Sequence, residues 1–193
     1  MIGKMKLTKF INSLSLIIIL SCNDSTILPK QNAFLRIEFE EPNYKIYNQS
    51  DAFPDFYYNS NSVTLNSTNK NSLLLNYNKL GINLDLKFNK LNDGLDLINI
   101  ENDFKMLLET HTKRSNGVLM REYENIDKLV FGKLYELQGD VASPVQFFLT
   151  DSLSNFVQGS VNINSKSKYD SIYPAIQYVK KDISVIFESI YWN

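Results

Sequence analysis

The chain has 193 residues, 44% of them hydrophobic and 12% aromatic, with a formal net charge of −1, one cysteine and one histidine. A mildly acidic chain without a basic stripe is unsuited to binding by counterion release, so nucleic acid is excluded as a partner. A single histidine and a single cysteine exclude histidine-rich and thiolate metal clusters, and there is no P-loop, G-x-G-x-x-G or G-x-S-x-G; no metal or cofactor is expected.

Lys4, Lys6 and Lys9 precede the run Leu14-Ser15-Leu16-Ile17-Ile18-Ile19-Leu20-Ser21-Cys22. Basic residues, an apolar stretch too short to span a bilayer, and a small residue at the cut site make a secretory signal. A cysteine directly after that small residue matches the lipobox of a bacterial lipoprotein signal, where the thiol takes the lipid. The alternative is a plain secretory signal with an incidental cysteine. Residues 1–21 are therefore expected to be a signal peptide, Cys22 the lipid attachment site and 22–33 a tether containing Pro29. The single α+β domain would run over 34–193. Cleavage would leave 172 residues and, with the three lysines gone, shift the formal charge from −1 to −4. Acylated Cys22 leaves no thiol for a disulfide, so stability must come from a hydrophobic core, which a domain of this size can build.

Phe34 to Glu40 alternates, with Leu35, Ile37 and Phe39 opposite Arg36, Glu38 and Glu40, and predicts a half-buried strand. Pro42 and Asn48-Gln49-Ser50-Asp51 break the chain into loop, and the aromatics Phe53, Phe56, Tyr57 and Tyr58 follow around Pro54. Short strands are expected at Val63–Leu65 and Leu73–Tyr77, with Gly81 turning the second into Ile82–Phe88 as a hairpin. Asn92-Asp93-Gly94 is a turn signal. Phe104, Leu107, Leu108 and His111 fall on one helical face, ended by Gly117. Strands over Lys128–Leu137, Val145–Asp151 and Asn155–Ile163 are joined by turns too short for parallel crossovers, which makes them antiparallel. The last helix, capped by Asp170 or Ser171 with Pro174 in its first turn, carries the stripe Ile176, Val179, Ile183, Ile186, Phe187 and Ile190. Lys180, Lys181, Asp182 and Glu188 are expected largely off that stripe. An antiparallel sheet with helices packed on it is an α+β fold. At the level of pattern it looks like the Mog1/PsbP-type α-β-α sandwich.

Candidate chemistry is sparse. His111 sits on an apolar helical stripe, as a structural histidine or as the main functional candidate. Glu40-Glu41 does not supply the paired carboxylates of a glycosidase, because adjacent strand residues point to opposite faces. Tyr57 and Tyr58 serve either strand-edge packing or a sugar or protein contact.

From Phe131-Gly132-Lys133-Leu134-Tyr135 through Gly139-Asp140-Val141-Ala142-Ser143 to Gln146-Phe147-Phe148-Leu149-Thr150-Asp151-Ser152, then Asp170-Ser171, Pro174 and Trp192, the chain resembles the gliding-motility lipoprotein D family (GldD) of Bacteroidetes. The lipoprotein signal, the early Phe34-Leu35-Arg36-Ile37 and a helix carrying a histidine like His111 belong to the same resemblance. The chain departs from the family at Ala52-Phe53-Pro54, where a Cys-Pro-Phe segment is usual, and at Gln158-Gly159, where Arg-Gly is usual. The resemblance implies a membrane-anchored envelope lipoprotein facing the periplasm, required for gliding, with gliding or secretion-machinery proteins as partners and no enzymatic activity. Thr150-Asp151-Ser152 reads as a side-chain turn fixing the next hairpin, or, together with Gln146, as a partner-binding patch. The competing function is an envelope enzyme or binding protein acting on glycan or peptide, through Phe53 to Tyr58 and His111.

Overall fold

The computed structural model describes residues 38–48, 53–164 and 169–192. The expected signal peptide, Cys22, the tether and Phe34–Ile37 lie outside the described residues. Glu38 to Asn43 has no regular structure, so the described end of the predicted Phe34–Glu40 segment is not strand, and the first strand among the described residues is β1 (Tyr44–Tyr47), between Pro42 and Asn48 where the sequence predicts loop. It pairs antiparallel with β2 (Phe56–Asn59), which absorbs part of the aromatic cluster into a separate two-stranded ribbon.

Seven antiparallel strands build the main sheet: β3 (Thr64–Asn69), β4 (Ser72–Tyr77), β5 (Ile82–Lys90), β6 (Gly117–Asn125), β7 (Val130–Gln138), β8 (Val145–Thr150) and β9 (Asn155–Ile163). Their spatial order is β3-β4-β5-β9-β8-β7-β6. Two meanders, one from each end of the chain, therefore meet where β5 pairs with β9 over Ile82↔Ile163 to Lys90↔Asn155. The β4–β5 hairpin forms as the sequence predicts, with Gly81 at φ 63° after a 3-10 turn over Asn78–Leu80. Strand β6 occupies a stretch between Gly117 and Lys128 to which the sequence assigns no element. It has polar and apolar residues on both faces, so it carries no alternation to read.

Helix α1 (Gly94–Thr112) begins at the predicted turn because Asp93 is its N-cap, accepting from the N–H groups of Leu95 and Asp96 at 2.8 and 3.0 Å. It stops at Thr112, and Gly117 opens β6 instead of ending the helix. Of the predicted stripe, Phe104 and Leu108 are buried, His111 is half-buried and Leu107 is exposed. Helix α2 (Tyr169–Ser189) starts earlier than expected. The Tyr169 N–H donates to Asp140 Oδ1 at 2.8 Å, so a first-turn donor is satisfied from a distant loop, and Pro174 stands at the sixth helical residue.

Side-chain alternation sends the two helices to opposite faces. On one face Val145, Phe147 and Leu149 of β8 join Leu84 and Leu86 of β5, Val157 and Val161 of β9, and Ile176, Val179, Ile183 and Ile186 of α2. On the other, Phe148 and Phe156 join Phe104 and Leu108 of α1 with Leu137, Val141 and Leu91. The result is an α+β fold in three layers. Backbone and ring meet closely at Gly159, where a β carbon would stand 2.0 Å from Phe147 Cζ, while Phe187 of α2 packs edge-on against the same ring. The ribbon is tied to the chain end by the Asp55↔Tyr191 bridge, and Trp192 Nε1 donates to the Leu129 carbonyl at 3.0 Å.

Candidate functional site

The residues expected to form a partner-binding patch do not present a common surface. Gln146, Thr150 and Asp151 are buried and only Ser152 is exposed. Thr150-Asp151-Ser152 instead closes the β8–β9 turn. Asp151 Oδ1 accepts the N–H groups of Leu153, Ser154 and Asn155 at 2.9, 2.8 and 2.8 Å. Its Oδ2 takes the Ser154 hydroxyl and the Asn155 amide. Thr150 Oγ1 accepts from the Ser152 N–H at 2.9 Å and donates to the Asn155 carbonyl at 2.7 Å, which seats Ser152 at φ 64°. Burial pushes the Asp151 carboxyl up, but the backbone N–H groups and Asn155 outweigh it and hold the pKa below the ordinary value. Gln146 is 1% exposed in mid-sheet, and neither atom of its side-chain amide has a partner.

A second buried carboxylate stands where the sequence predicts a residue off the apolar stripe. Asp182 of α2 is 3% exposed and accepts from Tyr44 Oη of β1 at 2.8 Å, Tyr77 Oη of β4 at 3.0 Å and Asn59 Nδ2 of β2 at 3.3 Å. Tyr178, one turn earlier, bonds Ser62 Oγ at 2.7 Å, accepts from Asn59 Nδ2 at 2.9 Å and donates to the Glu40 carbonyl at 2.9 Å. Among the described residues no cation pairs with Asp182. Burial raises its pKa, and the donated hydrogen bonds only partly offset that. Burial, with the Asp182 carboxylate beside each hydroxyl, likewise raises Tyr44 and Tyr77. The signal was present in the sequence: Asp182 is four residues from Tyr178 and four from Ile186, on the apolar stripe and not off it.

Among the described residues, clefts open beside α2. One of about 520 Å³ opens at its start, lined by Gln138, Asp140, Tyr169, Asp170 and Tyr173. Burial, then the nearby Glu136, pushes the Tyr169 hydroxyl up to about 12. Another, about 300 Å³, lies between α2 and strands β6 and β7, lined by Arg121, Tyr123, Leu134, Lys180, Lys181 and Phe187. His111 lines neither. Glu40 pairs with Lys79, and Phe53 and Phe56 are core residues packed with Tyr47 and Phe88, while Tyr57 is exposed. No group of His, Cys, Asp or Glu able to hold a metal gathers among the described residues, and no described helix is long and apolar enough to cross a membrane.

A family model for the gliding motility lipoprotein GldD matches residues 24–192. The chain belongs to the GldD family. The match covers both meanders, both helices, the Asp151 turn and the Asp182 network together. No curated protein and no solved structure matches the chain, so the Mog1/PsbP likeness rests on pattern alone. By family the chain is a gliding-motility-related lipoprotein, and membrane anchoring comes with that class.

Proposed function

We propose that this GldD-family chain is a non-enzymatic component or assembly factor of the gliding machinery and the secretion machinery linked to it, anchored through acylated Cys22 with the domain facing the periplasm. The observation that carries the reading is the family match, whose first residue, 24, stands two positions past Cys22. A non-enzymatic role agrees with how two of the buried carboxylates are used. Asp151 and Asp182 are both occupied by hydrogen bonds that hold the fold, which leaves their oxygens committed to structure. Burial of acyl chains at about 0.8 kcal/mol per methylene supplies the membrane affinity when two or more chains are attached.

Deletion of the gene in its native host tests this. The mutant is expected to lose colony spreading and secretion, and the wild-type gene to restore both. Cys22→Ala is expected to give a folded protein that takes up no labelled fatty acid. Normal spreading and secretion in the deletion mutant would overturn the function, and equal labelling of wild type and Cys22→Ala would overturn the anchor site.

A further inference from the structure

The seven-stranded sheet has two outer strands, and they are built differently. Strand β3 is six residues long, polar and bulged at Ser67/Asn69, features that discourage pairing with another chain. Strand β6 is nine residues long and pairs with β7 from Gly117↔Gln138 to Asn125↔Val130 without a break in register. It has no proline, no lysine and no bulge. Val118, Leu119 and Met120 are 42%, 49% and 50% exposed along it. In an antiparallel ladder every second residue of an outer strand turns its N–H and C=O away from the sheet, so, with no strand beyond it among the described residues, β6 offers a row of backbone groups to a further strand.

The charges beside this edge say what kind of strand fits. In the cleft between β6 and α2, Lys180 is occupied by the buried Glu136, which also accepts from Gln177 Nε2 at 3.0 Å. Glu122 is occupied by Lys133 at 3.0 Å. Arg121 and Lys181 form no ion pair among the described residues, which leaves two uncompensated positive charges on a chain of net negative charge. Register places Leu119, Arg121 and Tyr123 on the α2 side of the sheet, opposite Glu136, Leu134 and Gly132, and places Val118, Met120, Glu122 and Glu124 on the other side, which keeps the acidic residues of β6 off the face that carries Arg121. A strand laid against β6 would set alternate side chains beside Arg121 and Lys181, and the remainder beside Val118 and Met120.

We infer that β6 is a docking edge for an extended segment of a partner protein, with acidic and apolar residues alternating, added to the sheet as an eighth strand. The inference rests on the reading that the domain works by binding. A second copy of this chain is disfavoured as the occupant, because antiparallel self-pairing centred on Arg121 would place the two arginines opposite each other.

The test uses the full chain in nonionic detergent and three synthetic peptides as long as β6. One alternates valine with glutamate, one alternates valine with lysine, and the third is the glutamate peptide with every second backbone amide methylated. The glutamate peptide is expected to bind, to weaken as salt rises, and to slow amide exchange in β6. Methylation is expected to abolish binding, since it removes the pairing donors. Arg121→Glu with Lys181→Glu is expected to weaken the glutamate peptide about tenfold and to admit the lysine peptide. Equal binding of both charged peptides, tolerance of methylation, exchange protection away from β6, or a peptide-free dimer that protects β6 would each overturn the proposal. Gliding lost on deletion without peptide binding would overturn the edge alone. Peptide binding with gliding intact on deletion would support the edge and overturn the function beneath it.

Discussion

Asp151 and Asp182 are both buried carboxylates with no paired cation among the described residues, at 8% and 3% exposure, yet their affinities for a proton move in opposite directions. The Asp151 donors are chiefly backbone N–H groups within four residues, fixed in place by the turn itself. The Asp182 donors are two tyrosine hydroxyls and one amide from three different strands, and its burial is not overcome by them. A local ring of backbone dipoles favours the charged form more strongly than side chains gathered from afar. Asp151 is thus a charge that the turn requires, and Asp182 is a polar pin whose charge is a cost.

The comparison breaks first at Asp151→Ala. Hydrogen bonds to a charged acceptor contribute about 1.5–3 kcal/mol each, and they overlap strongly within one turn, so a loss of about 3 kcal/mol is expected in urea denaturation. A loss under about 1 kcal/mol would mean that the backbone forms the turn unaided.

The pair Asp151→Asn and Asp182→Asn sharpens the contrast through pH. At Asp151 the folded pKa is lowered, so its contribution is present above the ordinary value of 3.8 and is lost as pH falls through the folded value. Asp151→Asn is expected to be about 2 kcal/mol less stable than wild type at neutral pH, with the gap closing in acid. At Asp182 the folded pKa is raised, so its contribution is fully present below 3.8 and is lost as pH rises through the folded value. Asp182→Asn is expected within about 1 kcal/mol of wild type at neutral pH and to fall behind as the solution is acidified. Denaturation midpoints from pH 3 to 8 (about the range where carboxylates titrate) would reveal opposite slopes, and parallel slopes would break the distinction.

Smaller effects test the surroundings of the turn. Gln146 leaves its amide unpaired in mid-sheet, and Gln146→Leu fills the same space without that cost; it is expected to raise stability by up to about 1 kcal/mol in thermal unfolding. Ser152 holds a left-handed φ of 64°, and Ser152→Gly is expected to gain a few tenths of a kcal/mol, on the order of 0.5. A loss in that variant would give the Ser152 hydroxyl a role beyond the turn.

The same contrast governs what can be read from the sequence. The Thr150-Asp151-Ser152 turn is legible because donor and acceptor lie within a few residues and the side-chain turn is a property of those residue types. The Asp93 signal and the β4–β5 hairpin are legible for the same reason, and strands β7, β8 and β9 are legible as runs set between short turns. Asp182 is legible only as a carboxylate on the apolar stripe, since its partners Tyr44 and Tyr77 stand far away in sequence and nothing local announces that they converge on it. Strand β6 is missed because, as an outer strand, it is half-solvated on both faces and loses the alternation that burial imposes. Helix α2 is predicted in type but not in its start, because Asp140, a residue of another loop, satisfies its first turn.

The seam between β5 and β9 sets an order of events on the chain. Strand β5 is complete by Lys90, but its neighbour begins only at Asn155, after α1 and three further strands. Until β9 emerges, each meander carries an open inner edge, β5 on one side and β8 on the other, and the same late strand closes both. Contacts of such long sequence separation are slow to form, and the intermediate they leave open is sticky. A chain cut after Thr150 would therefore yield two unfinished half-sheets prone to mutual capture, and not a smaller stable domain.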